Sequence, residues 1–192
     1  MRSFNDFSER MEHEFRDLEL SLIVFGFKVD GEGLKKYCKL NELKSVDYIY
    51  KENNKFYLIE FSDLATQRND NLKNIDYIKS SLKENKALLK KQKETEYNEI
   101  NRELVQKYKD TLIIASTLKN YLSDFPSDLR LNKYCVIYAP FHKEVEENRK
   151  VEITRFLDML QSKITQAIPD EIFCGVKVIP IEKFASPNVI KT

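Results

Sequence analysis

The sequence predicts an α/β domain in which strands and covering helices form layers around one core. Two observations carry that expectation. Short apolar segments flanked by turn residues recur as "LIVFGFKVDGEG", "SVDYIY", "FYLIEFS", "LNKYCVIYAP" and "GVKVIPIE", and amphipathic helical stretches lie between and around them. A third is scale: 192 residues suffice for one substantial core, and 4 Gly and 5 Pro leave little chain for structureless linkers.

Taken in order, Phe4, Phe7, Met11, Phe15, Leu18 and Leu22 recur at helical spacing, which predicts an amphipathic first helix over roughly residues 4–20. A strand follows in "LIVFGFKVDGEG" and stops at its Gly-rich turn, and "LKKYCKL" is a short ambiguous piece. "SVDYIY", the polar turn "KENNK" and "FYLIEFS" read as a hairpin. From about Thr66 to Leu122 the chain has no Gly or Pro. Ile75, Ile78, Leu82 and Leu89 fit a heptad seam, with Asn85 where a further apolar residue would fall. A polar middle, "KKQKETEYNE", gives way to a second seam through Ile100, Leu104, Tyr108 and Leu112. Two long helices folded back as a hairpin, or one continuous helix, would satisfy this pattern, and its length predicts a protruding arm. "DFPSD" ends it. A buried strand stopped by Pro140, a helix over Val145–Ile168 and a last strand after Pro169 complete the order α-β-β-β-α(long)-β-α-β. Residues 1–65 and 123–192 are thus expected to build the core, and 66–122 the helical insertion.

With 32 basic and 31 acidic residues no global field draws the protein to nucleic acid or to an anionic membrane, so such a role needs a local patch. Cys38, Cys135 and Cys174 are odd in number and lack a CxxC pair, the usage of free thiols in a reducing cytosol rather than of a zinc site. With no signal peptide and no apolar run of about 18 residues, the expectation is a cytoplasmic protein that does not engage the membrane. No Gly-rich phosphate loop and no Ser-His-Asp arrangement is visible. His13 and His142 are the only histidines, and His13 reads as a surface residue. The basic run "KENKALLKKQK" and Tyr48, Tyr50, Tyr57 and Tyr134 could contact phosphates and bases, but charge runs on long helices are usually solvated and strand tyrosines usually cover a sheet.

The acids in the hairpin are harder to place. In the first strand Val46, Tyr48 and Tyr50 share one face, with Asp47 and Ile49 on the other. In the second, Phe56, Leu58, Glu60 and Ser62 point one way and Tyr57, Ile59 and Phe61 the other. Glu60 therefore ends an otherwise apolar row, where an unpaired carboxylate would cost several kcal/mol. A divalent cation shared between neighbouring strands would compensate. Glu14, on the apolar stripe of the expected first helix, is a third candidate. Three converging carboxylates would bind Mg2+ or Mn2+ and ready a water for attack on phosphorus.

The order helix-Glu, strand, Asp strand, Glu strand, helix resembles the PD-(D/E)XK, restriction endonuclease-like nuclease superfamily, and within it the small Holliday-junction resolvases. The likeness rests on "EHEFRDLELSLIVFGFKV" with Glu14, "VDYIY" with Asp47 and "YLIEFS" with Glu60, and covers about residues 5–65 in motif. It implies that Glu14, Asp47 and Glu60 hold the metal, that Asp47 and Glu60 are catalytic, and that the protein is a Mg2+-dependent endonuclease acting on DNA as a dimer, in repair, restriction or antiviral defence. The chain departs from the pattern where the family's Lys is replaced by Ser62, and a hydroxyl cannot replace that charge. Either a cation comes from elsewhere (Lys73 or Arg68 on the following helix, or Lys44 ahead of Asp47) or the fold serves as a silent adaptor that binds a protein partner through its helical arm.

Overall fold

The computed structural model describes residues 1–15, 18–53, 55–81, 86–126, 131–141, 143, 145–169 and 175–186. Among them the strands β1 (Ser8–Arg10), β2 (Phe25–Lys28), β3 (Tyr48–Glu52), β4 (Lys55–Phe61), β5 (Leu131–Tyr138) and β6 (Val176–Pro180) form one six-stranded sheet in the order β1-β2-β3-β4-β5-β6. The first four run antiparallel to their neighbours, and β4, β5 and β6 are parallel. Parallel neighbours need crossovers. Helices α2 (Leu64–Ser81) and α3 (Lys86–Leu118) lie between β4 and β5, and α4 (Glu147–Gln166) lies between β5 and β6. The short α1 (Leu34–Tyr37) precedes β3, and α5 (Ile181–Phe184) follows β6. No helix of the described residues is long and apolar enough to cross a membrane.

Alternation along the strands divides the apolar residues into two cores. Ile49, Phe56, Leu58, Tyr134 and Val136 face Leu104, Tyr108, Leu118, Phe156 and Leu160 on the helical side. Tyr48, Tyr57, Ile59, Cys135 and Ile137 face Met11, Phe15, Leu22, Ile181 and Phe184 on the other. The face assignment expected for the hairpin therefore holds within the two strands, but Val46, expected to share a face with Tyr48 and Tyr50, enters the helical-side core with Ile49, because β3 starts only at Tyr48 and the alternation does not extend back to it.

The expected first helix does not form. Ser3 and Asp6 make a capping box that starts a 3₁₀ turn over Phe4–Phe7, and the chain then extends into β1, with Glu9 opposite Gly26. Phe4, Phe7, Met11, Phe15 and Leu22 are all buried, as their pattern requires, but Phe4 and Phe7 enter the helical-side core whereas Met11, Phe15 and Leu22 enter the opposite one. One helix stripe cannot serve both faces of a sheet; an edge strand between the two groups can. Gly26 permits this path, since a β-carbon there would sit 2.4 Å from the Met11 terminal methyl.

The seam through Ile100, Leu104, Tyr108 and Leu112 packs inward, with Leu104 and Tyr108 buried and Ile100 and Leu112 half-buried against the core. On α2, Leu64, Leu72 and Ile75 are buried, and Arg68 and Asp76 reach Glu152 and Arg149 of α4. Leu82 and Asn85 of the first seam, and with them the junction between α2 and α3, lie outside the described residues, as do His142 and Cys174.

Candidate functional site

Asp47 and Glu60 are neighbours because of the hairpin register. Tyr48 pairs with Ile59, so one step further Asp47, just ahead of β3, comes opposite Glu60. The Phe61 amide donates to Asp47 Oδ2 at 2.7 Å, which fixes that carboxylate against the Glu60 strand. Glu60 is 1% exposed. Its Oε1 accepts from Lys107 Nζ at 2.6 Å, and its Oε2, also buried, meets no partner among the described residues. An unmatched carboxylate oxygen at that depth costs more than an ordinary lost hydrogen bond and marks a place where a cation or proton is favoured.

The cation beside Glu60 is Lys107. It comes from the middle of α3, one helical position before Tyr108, and reaches the end of β4 from the helical layer. None of the candidates drawn from the sequence does this. Lys73 is exposed on α2 beside Asp70 at 3.4 Å; Arg68 faces Glu152 and the Phe156 ring; Lys44 pairs with Glu103 at 3.6 Å. Ser62 lines the same cavity as Glu60, while its amide donates to Ile137 O at 2.8 Å. The signal for Lys107 was available in principle. It shares the inward stripe of α3 with Leu104, Tyr108 and Thr111, a charge among apolar residues, as Glu60 is on its strand.

Glu14 lies on the irregular stretch after β1 rather than on a helix, and it is exposed. It nevertheless flanks the pair, lining both a cavity of about 280 Å3 with Glu60, Asp63, Glu103 and Lys107 and one of about 440 Å3 with Asp47, Asp30 and Lys28. His13 is a structural group of this stretch: Nδ1 accepts from the Phe15 amide at 3.3 Å, so Nε2 donates to Leu20 O at 2.7 Å. Among the described residues no three acidic, His or Cys side chains stand close enough to form a ready-made cation cage.

The electrostatics follow from depth. Burial first, and the neighbouring Asp47 charge second, push the Glu60 carboxyl up to about 8 against the opposing pull of Lys107. Asp47 is also raised, chiefly by burial, while the Phe61 amide and Lys107 restrain it and Asp30 and Glu14 add to it. Burial would lower Lys107, but Glu60, Asp47 and Glu103 outweigh it and hold the ammonium above its ordinary value. A raised Lys107 requires an ionised neighbour, whereas Glu60 is driven toward neutrality, so the two directions compete for one proton. We assign the charge to Lys107, which is 23% exposed and attracted by three carboxylates, and regard Glu60 as the group whose ionisation is costly.

The chain matches no family model, no curated protein and no solved structure. Two neighbouring carboxylates, one just ahead of β3 and one in β4, the latter with an unmatched oxygen, fit a hard divalent ion such as Mg2+, which is usually held by one or two carboxylates with waters and substrate oxygens completing its shell. Lys107 offers a fixed positive charge on the cavity wall it shares with Glu60.

Proposed function

We propose that the protein is a metal-dependent phosphodiesterase, a nuclease of the restriction endonuclease-like type acting on DNA, with Mg2+ or Mn2+ held by Asp47 and Glu60 and flanked by Glu14. The observation that carries this reading is the Asp47–Glu60–Lys107 group, with the buried Glu60 Oε2 unmatched and Lys107 Nζ 2.6 Å from Oε1. The β2–β3–β4 antiparallel run followed by parallel β5 supports the same reading, since it sets the Asp and Glu strands side by side as the family resemblance requires. A divalent ion there would supply Lewis acidity and lower the pKa of a coordinated water. The chain's own residues provide the rest. Asp47 and Glu60 orient the ion, Lys107 offsets charge on the attacked phosphate in place of the family's Lys, and Ser62 lines the approach.

The test is incubation of the purified protein with Mn2+ or Mg2+ and linear, branched and single-stranded DNA. Cleavage should appear in the wild type and vanish in Glu60→Gln and Lys107→Met, with each variant folded by circular dichroism. Mn2+ should raise the melting temperature of the wild type and leave that of Glu60→Gln unchanged.

A second reading has its own support. The cavity beside Glu60 also presents Glu14, Asp63 and Glu103, which repel a polyanion, and α2 and α4 expose Tyr77, Val151 and Met159. These features suit a non-catalytic adaptor that docks a protein partner on its helices. Absence of cleavage and of any Mn2+-dependent stabilisation would decide for it.

A further inference from the structure

Four hydrogen bonds connect the site residues into a closed circuit. Lys107 Nζ donates to Glu60 Oε1 at 2.6 Å. The amide of Phe61, the residue after Glu60, donates to Asp47 Oδ2 at 2.7 Å. The amide of Val46, the residue before Asp47, donates to Thr111 Oγ1 at 3.0 Å, and the same hydroxyl donates to the carbonyl oxygen of Lys107 at 2.6 Å. From Lys107 the path runs through Glu60, Phe61, Asp47, Val46 and Thr111 and returns to Lys107. Thr111 is fully buried. A threonine hydroxyl bonded to the carbonyl four residues back is common in helices. Its simultaneous use as the acceptor for the Val46 amide, 65 residues away and two residues ahead of β3, is what joins helix to strand here. Asp110 reinforces the junction, accepting from the Lys44 amide at 3.0 Å and from Gln106 Nε2 at 2.6 Å.

We infer that Thr111 is a positioning residue that sets the register of α3 against the Asp47 strand and thereby places Lys107 on Glu60. A β-branched, hydroxyl-bearing residue is a poor choice for a helix interior on propensity alone. Its value lies in linking the Lys107 carbonyl to the strand that carries Asp47. The proposal deepens the nuclease reading, and only its kinetic readout rests on that reading.

The decisive measurement compares Thr111→Val, which keeps the shape and removes the hydroxyl, with Thr111→Ser, which keeps the hydroxyl. Surface amines are acetylated with a water-soluble N-hydroxysuccinimide ester, and modification of Lys107 is followed by mass spectrometry relative to the exposed Lys109 on the same helix. Loss of both hydroxyl hydrogen bonds should speed Lys107 modification at least about fivefold in Thr111→Val, with Thr111→Ser close to wild type. An unchanged Lys107 to Lys109 ratio in folded Thr111→Val, or an equal rise in Thr111→Ser, would overturn the assignment. Should Thr111→Val not fold, Lys107→Met replaces it: the Val46 amide should then exchange with deuterium several-fold faster than in wild type, and an unchanged rate defeats the proposal. Where the wild type cleaves DNA, Thr111→Val should lower kcat with KM within about twofold, because substrate contacts outside the circuit persist. A wild type that cleaves nothing removes the nuclease reading and leaves the labelling ratio to judge Thr111.

Discussion

Replacing Glu60 by Gln should stabilise the protein at alkaline pH and do little at acid pH. The Glu60 carboxyl is displaced from 4.5 to about 8, with burial the leading cause. An acid whose folded-state value is raised keeps its proton in the native state after the unfolded chain has released it. Its contribution is therefore intact below pH 4.5, declines through the window between 4.5 and about 8, and is constant above that. Across the whole window the loss is about 5 kcal/mol. Lys107 does not blur this window, because its folded value is raised and its contribution is lost only above its ordinary 10.5. Glutamine keeps the shape of the protonated acid and an acceptor for Lys107 but gives up the charge that the ammonium favours. About half of the calculated loss, ~2–3 kcal/mol, should then be recovered at pH 9 in the absence of divalent ions. For a chain of this size that corresponds to a rise of about 5–10 °C in melting temperature. At pH 5 the two proteins should differ by no more than about 2 °C. Differential scanning calorimetry between pH 5 and pH 9, in chelator, measures both ends. A Glu60→Gln variant that melts at or below the wild-type temperature at pH 9 would mean that the Lys107 contact outweighs burial, and the reasoning about an uncompensated carboxylate would fail.

The converse perturbation, Lys107→Met, leaves the buried Glu60 and the half-buried Asp47 without their cation; it should destabilise by about 3–5 kcal/mol at pH 9 in urea titrations, less at pH 6, and Glu60→Gln in the same chain should restore most of the loss. Tyr134→Phe removes a buried hydroxyl that donates to Leu104 O at 3.2 Å, and urea unfolding should show a loss of about 1 kcal/mol. At Gly33 a β-carbon would meet the Lys28 carbonyl oxygen at 2.4 Å, so Gly33→Ala should lose about 2 kcal/mol or more. Gly26→Ala, whose nearest obstacle is the flexible end of Met11, should lose less than Gly33→Ala in the same assay.

Much of the fold was legible because local patterns and tertiary packing agree. Strand alternation in Tyr48–Glu52 and Lys55–Phe61, the Asn-rich turn between them and the inward stripe Ile153, Phe156, Leu157, Leu160 and Ile164 of α4 each point one way and are used that way. The N-terminal stretch was misleading for an identifiable reason. Its apolar spacing is helical, but the residues are shared between opposite faces of the sheet, and spacing carries no information about which face a residue enters. Pairing of Ser8–Arg10 with Phe25–Lys28 is a non-local gain that propensity cannot register.

The site divides along the same line. Asp47 and Glu60 were visible because a hairpin is local: its turn sets the register, and the register sets the two acids opposite one another. Glu14 was given the right neighbourhood and the wrong backbone, since the irregular stretch that carries it still passes the mouth of the cavity. Lys107 was out of reach, 47 residues from its partner across two helices. Its clue was an incongruity rather than a motif. A lysine and a threonine lie on the stripe that α3 turns inward, and an acid lies on the row that β4 turns toward it. Each would be costly in an apolar core and each becomes tolerable beside the other. Pairing such misfits across elements finds the Glu60–Lys107 contact without a family pattern. The same rule leaves the second oxygen of Glu60 unmatched, and that oxygen is what supports the proposed cation there.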